Sequence, residues 1–238
     1  MNVRDALLAA SGLLGGNSGG GLTVDDMVDH TKPAGEVTVA LAITANTGAY
    51  RHGLDYRTGI TGLNLPNATA VPNYFCNYCT NLETVNAPEA LFLGESAFSH
   101  TKIRYGVFPK LKALINYAMS DNAALEAVDF LGGAYPGDYS GLARTGVFNN
   151  CSSLATLVIR STAVVNLYGT NVLTGTPFAS GKSGGTVYVP AALVDSYRSA
   201  TNWSTIFGYG GGEQNAILPI EGSIYETQYV DGTPIPAT

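Results

Sequence analysis

The sequence predicts a mainly β repeat solenoid, in which short parallel strands stack coil on coil between an N-terminal β cap and a short C-terminal helical cap. Small or apolar residues recur at offsets 0, +6, +9 and +11 in six blocks that start at residues 54, 76, 97, 119, 148 and 178. The 238-residue chain is also 45% hydrophobic and only 13% charged, which is the composition of a folded chain. Self-similarity at such a period is typical of a solenoid.

Each block ends in a short predicted strand. In the second block Leu82, Val85 and Ala87 carry the pattern, and Pro88 follows. The change to alternation predicts a strand, and the proline ends it because proline lacks the backbone N–H that ladder pairing needs. A block of about 22 residues cannot bury its apolar side alone, so we expect the blocks to stack around one continuous core. The third block has Ala97 and Gly106 at core positions, and we expect that coil to be distorted.

The two ends of the repeat carry cap signals. Val37, Val39, Leu41 and Ile43 alternate with polar or small residues, which predicts a strand over 36–44 that covers the first coil. After the last block Pro190 opens a predicted helix that shields the edge of the last coil. In the tail beyond it, the segment 224–230 is a weakly patterned candidate strand.

The chain therefore divides into four predicted parts: residues 1–21, an anchor helix and glycine-rich tether; 22–53, the N-terminal cap; 54–189, the six-coil solenoid; and 190–238, the C-terminal cap helix and tail. In the first part Val3, Leu7, Ala10 and Leu14 follow helical spacing ahead of the glycines. A short helix on such a tether is not stable alone, so we expect it to be an anchor or oligomerisation element; a frayed terminus is the alternative.

The phrases CNYCTNLETVNAP (76–88), VFNNCSSLATLVI (147–159) and GTVYVPAALVDSYRSATNW (185–203) resemble the BspA-like leucine-rich-repeat proteins of bacteria and their phages. The resemblance covers roughly residues 54–206. It implies a leucine-rich-repeat-like solenoid, closed at its C-terminal end by the strand, short helix and Trp203 of the third phrase. It also implies a non-enzymatic role in attachment to host surfaces.

Several motifs that look catalytic or ligand-binding have plainer interpretations. GNSGG at 16–20 lacks a histidine and carboxylate on a rigid scaffold, and SGKS at 180–183 has Thr176 where a phosphate-binding loop needs glycine. Cys76 and Cys79 occupy repeat positions, which favours core residues over a redox or zinc pair; a disulfide between them is the alternative. The acidic cluster Asp25, Asp26 and Asp29 is predicted to be a solvated helix start. We therefore expect no catalytic residue, cofactor or metal.

The outward positions of the predicted strands, at offsets +8 and +10, form what we call the ladder face. The face is polar and almost uncharged, which suits recognition by hydrogen bonds and aromatic contact. The candidate ligand-binding residues are those of the ladder face and of the two inserted loops: Asn64, Asn86, Tyr105, Asp129, Tyr188, Tyr135, Tyr139 and Tyr168.

These features predict a binding or adhesion module in a phage virion, as a head or tail fibre protein that contacts the host surface. A bacterial cell-surface adhesin is the alternative, and a glycan-processing enzyme is a weaker one. The expected partners are a host-surface glycan or protein, and other virion proteins or a second copy through the N-terminal helix, giving a homo-oligomer. The net charge of −6 argues against nucleic acid as a partner, and no apolar run is long enough to span a membrane.

Overall fold

The structure is a computed structural model that describes residues 35–46, 50–135, 139–142, 145–179, 184–207 and 216–237. Over these residues the chain forms a parallel-strand β-solenoid of about six turns with few helices, as the sequence predicts. The strands in chain order are β1 (Glu36–Thr38), β2 (Gly62–Asn64), β3 (Ala70–Val71), β4 (Thr84–Asn86), β5 (Phe92–Leu93), β6 (Tyr105–Phe108), β7 (Ala113–Leu114), β8 (Ala127–Phe130), β9 (Ala134–Tyr135), β10 (Tyr139–Leu142), β11 (Thr156–Ile159), β12 (Thr186–Val189) and β13 (Ala216–Pro219).

The strands predicted from the repeat, together with β1 and β13, form two parallel sheets that carry the ladder face. The first has the order β1-β2-β4 and the second β13-β12-β11-β8-β6. Equivalent residues of successive blocks are paired in register, as Leu63 with Val85 and Leu157 with Val187. The ladder is interrupted between β4 and β6, at the third coil, where the sequence predicts a distortion.

The third coil differs from the others by one missing residue. Backbone bonds between coils place Phe98, which donates to Ala118 O, in the position of Cys76 and Met119, so the prediction that Ala97 starts this block is wrong by one residue. The predicted start of the sixth block at Phe178 is wrong by five residues, because Phe148 N donates to Val172 O and places Leu173 in that position. Because β6 pairs Tyr105 with Ala127, the gap between turn and strand is one residue shorter in the third coil. Gly106 has no side chain to pack into the core, and the Phe108 ring fills that space: a Cβ at residue 106 would lie 3.0 Å from the ring.

A third sheet, made of the two-residue strands β3, β5 and β7 and the four-residue strand β10, closes the other side of the coils. The insertion at 132–141 supplies β9 and β10, and β10 continues the parallel pairing from β7 while β9 pairs antiparallel with β10. Between the sheets lies one continuous core. Four residues at the predicted offset +6 are fully buried in this core: Leu82, Ile103, Leu125 and Leu154.

Buried polar side chains link successive turns along one row of the coil. Asn122 is fully buried; its Nδ2 donates to Phe98 O at 2.8 Å and to Met119 O at 3.0 Å, and its Oδ1 accepts from the Thr101 hydroxyl at 2.8 Å. The Cys151 thiol in the next coil donates to Met119 O at 3.1 Å. Buried polar atoms are tolerated here because they satisfy backbone groups that the turns leave unpaired.

The N-terminal cap is shorter than the predicted strand over 36–44. Glu36–Thr38 pairs with β2 and Val39 N donates to Asn64 O at 2.9 Å, after which the chain turns across the end of the coil. Val39, Leu41 and Ile43 are nevertheless buried, and Ile43 O accepts from the backbone amides of residues 69 and 70 at the start of β3, in the third sheet. The cap therefore covers the first coil on two sides.

The C-terminal cap consists of a 3-10 turn, Ala191–Leu193, and two short helices, Val194–Ser199 and Trp203–Phe207. Tyr197 and Trp203 are buried and meet edge to face at 5.3 Å. The Tyr197 hydroxyl accepts from Val165 N at 2.9 Å, and Trp203 Nε1 donates to Val165 O at 2.7 Å. These two bonds fix the cap to the loop that follows β11.

The described part of the tail, residues 216–237, corrects two predictions. The edge of the last coil is closed by β13, which pairs in parallel with all four residues of β12, rather than by the cap helix. The segment 224–230, a candidate strand, begins with a 3-10 turn at Ile224–Glu226. The strand of the tail lies earlier, at Ala216–Pro219.

Candidate binding face

The open part of the ladder face is a shallow groove over β1, β2 and β4 with a volume of about 280 Å³. Nine residues line it: Glu36, Val37, Thr38, Gly62, Leu63, Asn64, Thr84, Val85 and Asn86. Asn86 Nδ2 donates to Asn64 Oδ1 at 2.8 Å, so the two amides form a short ladder along the stack. Among the described residues, the Asn64 amide nitrogen and the Asn86 amide oxygen keep unused hydrogen-bonding capacity.

This groove has the chemistry of a neutral recognition surface. Hydroxyl and amide groups of Thr38, Thr84 and the two asparagines surround a floor that includes the half-buried Val37 and Val85. Amides both donate and accept, which suits ligands rich in hydroxyl or peptide groups. Glu36, exposed at the groove rim, is the one carboxylate in the lining.

Over β8, β11 and β12 the ladder face is contacted by the chain's own C-terminal segment. We call residues 220–237, which follow β13, the strap. It is attached mainly through Arg160, whose Nη1 donates to Tyr225 O at 2.9 Å and whose Nη2 approaches Gln228 O at 3.3 Å. The guanidinium also lies 5.3 Å from the centre of the Tyr229 ring.

Arg160 is held in turn by Asp129 on the neighbouring strand. Nε and Nη2 contact the two carboxylate oxygens of Asp129 at 2.8 and 2.7 Å, a bidentate pair, and the Asp129 side chain is completely buried. The Val230 backbone amide donates to the same carboxylate. Burial raises the pKa of Asp129, with the guanidinium and the Val230 amide acting in the opposite direction.

One aromatic contact and one hydrogen bond of Tyr225 complete the attachment of the strap. Tyr225 meets Tyr188 edge to face with ring centres 4.7 Å apart, and its hydroxyl bonds to Thr156. Burial raises the pKa of Tyr225. The strap also folds back on itself, because Tyr229 N donates to Thr233 O and residue 228 bridges residue 234.

The structure divides the predicted ligand-binding residues into open and covered groups. Asn64 and Asn86 lie together in the open groove. Asp129 is on the ladder face, but it is buried under the strap. The prediction that it is an open ligand contact is therefore wrong. Tyr188 is half-buried against the strap.

Tyr105 and Tyr168 do not join the groove. Tyr105 is half-buried and donates its hydroxyl to Glu126 at 3.0 Å. Tyr168 is 71% exposed and is absent from the groove lining. Tyr135 and Tyr139 are paired across β9 and β10, and their side chains lie outside the described residues.

Other predictions also fall outside the described part of the chain. The residues outside the described part include the anchor residues Val3, Leu7, Ala10 and Leu14, the acidic cluster at 25–29, and both serine-containing motifs, at 16–20 and 180–183. Within the described part, Cys76 and Cys79 form a disulfide, and Cys151 is free and buried. That part of the chain contains no helix suited to spanning a bilayer and no cluster of three or more metal-ligating side chains.

Sequence reasoning missed a row of stacked rings on one edge of the coils. Tyr56, Tyr78 and His100 stack with ring centres 5.0 and 4.0 Å apart, and all three have positive φ. His52 stacks on Tyr74 beside them at 4.8 Å. The signal was present, because these rings are spaced by the repeat period. The role of Arg160 was also missed, although it stands where four other blocks have proline.

The fold and this face define a leucine-rich-repeat-like solenoid that carries an open polar groove and a strapped region. A comparison with solved structures finds a leucine-rich repeat protein from Bacteroides ovatus, with 13% sequence identity and a TM-score of 0.34, covering 80% of this chain and 65% of that one. The chain thus spans just under two thirds of the length of that protein. No protein-family model and no curated protein sequence matches the chain.

Proposed function

We propose that this chain is a non-enzymatic binding module that contacts a ligand on a host surface through the groove over β1, β2 and β4. The observation that carries the proposal is the Asn64–Asn86 amide pair at the centre of that groove. The lining is polar and carries a single carboxylate, Glu36, so it favours recognition by hydrogen bonds and shape over attraction of a charged ligand.

A glycan-processing enzyme is the weaker alternative, because glycoside hydrolysis usually needs two carboxylates that flank the scissile bond. Glu36 is the one carboxylate among the described residues that line the groove. Asp129, the other acid considered on this face, is engaged by both guanidinium contacts and covered by the strap. A locked carboxylate cannot serve as a general acid or nucleophile in that state.

We place the module among BspA-like repeat proteins and in a phage virion, as a head or tail fibre component. The resemblance of the repeat phrases supports the first part. The apolar stripe Val3, Leu7, Ala10 and Leu14, followed by a glycine-rich tether, supports docking on other virion proteins or on a second copy. A bacterial cell-surface adhesin is the second setting. Immunogold labelling of purified particles and of intact bacteria distinguishes the two.

The groove is tested by measuring binding of the labelled full chain to host cell envelopes. We expect the double variant Asn64→Ala/Asn86→Ala to bind about tenfold more weakly, since two hydrogen bonds contribute roughly 0.5–1.5 kcal/mol each. The matched control, Asn81→Ala/Asn150→Ala, removes two exposed amides outside the groove and retains binding. Equal binding by both double variants and the unmodified chain would reject the groove.

Two treatments of the envelopes then identify the ligand class. Periodate oxidation destroys glycan epitopes, and protease digestion destroys protein epitopes. Loss of binding after one treatment alone assigns the ligand to that class.

A further inference from the structure

We infer that the turn at residues 52–56 of the first coil is a second binding site, at which the exposed rings of His52 and Tyr56 hold the sugar rings of a neutral glycan. We call these two side chains the ring platform. The inference goes beyond the proposed function, because the ring platform shares no residue with the groove over β1, β2 and β4.

The ring platform is the first layer of two stacks of rings. His52 stacks on Tyr74 with ring centres 4.8 Å apart and an angle of 4° between the ring planes, and Tyr56 stacks on Tyr78 at 5.0 Å and 7°. His100 continues the second stack at 4.0 Å. Among the described residues, the other face of His52 and of Tyr56 meets no further ring.

Both rings of the platform are accessible to a ligand. Tyr56 is 65% exposed, and the side chain of His52 is 58% exposed. Within the described part of the chain, the Tyr56 hydroxyl and the His52 Nε2 atom have no hydrogen-bond partner. Adjoining exposed aromatic rings are typical of a surface that binds something, because a soluble chain otherwise gains little from keeping them in water.

The rings are held in place before a ligand arrives. His52 Nδ1 lies 2.6 Å from Asp55 Oδ2, and the Tyr74 hydroxyl beneath His52 donates to Glu95 Oε1 at 2.7 Å. Tyr56 is supported by Tyr78 in the same way that His52 is supported by Tyr74. Binding to fixed rings loses little side-chain freedom, which favours affinity.

The backbone of the turn does not itself require a ring at residue 56. Tyr56 has a φ of 59°, in the left-handed region that asparagine and glycine adopt most readily. The bonds between coils place Asn150 and Gly175 at the equivalent position of later coils, with φ of 59° and 77°. A tyrosine in this conformation is unusual, and such residues cluster at functional sites.

The size and chemistry of the ring platform fit a sugar. A pyranose ring has a C–H face that packs on an aromatic ring and a rim of hydroxyls, for which the Tyr56 hydroxyl and His52 Nε2 are available partners. Two aromatic side chains offer at most about 150–250 Å² each, well below the roughly 800 Å² per partner of a stable protein interface. The net charge of −6 argues against nucleic acid.

The test measures retention of the labelled full chain on an array of neutral oligosaccharides. We expect retention on at least one glycan, and binding about tenfold weaker for His52→Asn/Tyr56→Asn, since two ring contacts are lost. Asparagine keeps the turn, because Asn150 adopts the same conformation. The matched control, Tyr168→Ala, removes an exposed tyrosine outside the ring platform and retains binding. Tyr56→Phe keeps the ring face and also retains most of the binding.

Three results would overturn the inference: retention on no glycan of the array, equal retention of His52→Asn/Tyr56→Asn and the unmodified chain, or a loss in Tyr56→Phe as large as in the double variant. Retention that is lost in Asn64→Ala/Asn86→Ala and kept in His52→Asn/Tyr56→Asn would also count against it, because the glycan would then lie in the groove. Failure at the ring platform leaves the groove and its envelope-binding test unaffected, since the two sites share no residue.

Discussion

Replacing Arg160 by alanine removes the only side-chain cation that contacts the Asp129 carboxylate in the described structure. The carboxylate is completely buried. Without Arg160 it keeps a hydrogen bond from the Val230 backbone amide. Removal of one partner from a buried ion pair typically costs about 3–5 kcal/mol, because an uncompensated charge is left behind. The strap also loses the two guanidinium contacts to its carbonyls.

The chain can avoid this cost by releasing the strap, which lets water reach Asp129. We therefore expect the effect to concentrate in the strap and not in the coils. A change of about 3–5 kcal/mol corresponds to a fall of roughly two to three and a half orders of magnitude in protection against amide exchange. The amides of Tyr229 and Gly232 report on the strap, whereas that of Leu65, which bonds to Asn86 O, reports on the coils.

Hydrogen exchange followed by mass spectrometry measures both regions in one sample. The matched control is Arg104→Ala, which breaks an exposed ion pair to Glu126 and leaves strap protection unchanged. Strap protection in Arg160→Ala within about threefold of the unmodified chain would show that the ion pair does not hold the strap, since the expected change is at least tenfold larger.

Three further predictions concern the core and the buried acid. Asn122→Ala should lower the free energy of unfolding by about 3 kcal/mol, measured in urea, because it leaves several buried backbone groups unpaired; a loss below about 1 kcal/mol would contradict this. The native chain should show no reactive thiol at pH 8, since burial raises the pKa of Cys151 to about 12, whereas the unfolded chain should show one thiol without reductant and three with it. Labelling of Cys76 or Cys79 without reductant would disprove their disulfide. Because the pKa of Asp129 is raised on folding, its contribution to stability is present at low pH and is lost as the pH rises above the ordinary value of 3.8. Urea titrations across this range should show that the stability of the unmodified chain relative to Asp129→Asn falls as the pH rises; a constant difference would refute the raised pKa.

The repeat offsets predict the strands of the ladder face because side-chain direction in a strand follows directly from sequence position. Leu63, Val128 and Leu157 are buried in register as the pattern requires. The one-residue deletion in the third coil was not predictable, since Ala97 and Phe98 are both apolar and both buried.

The covered half of the face was hidden from sequence reasoning for a different reason. The strap is held by its backbone carbonyls, which leave no residue pattern, and by one arginine 65 residues before Tyr225. Asp129 was therefore assigned to an open surface from its offset alone. The two-residue strands β3, β5 and β7 of the third sheet are also too short to show the alternation of apolar and polar residues that marks a strand in the sequence.

The pairing of equivalent residues on adjacent coils is tested most directly by engineered disulfides across the open groove. Asn64 and Asn86 are partners in the parallel ladder, so Asn64→Cys/Asn86→Cys should form a disulfide on oxidation. The shifted pair Asn64→Cys/Thr84→Cys, in which Thr84 is the partner of residue 62, should form it poorly, because diagonal neighbours lie about 7–8 Å apart. Efficient bridging of the shifted pair, with no bridge in the registered one, would contradict the stacked-coil arrangement on which the binding face depends.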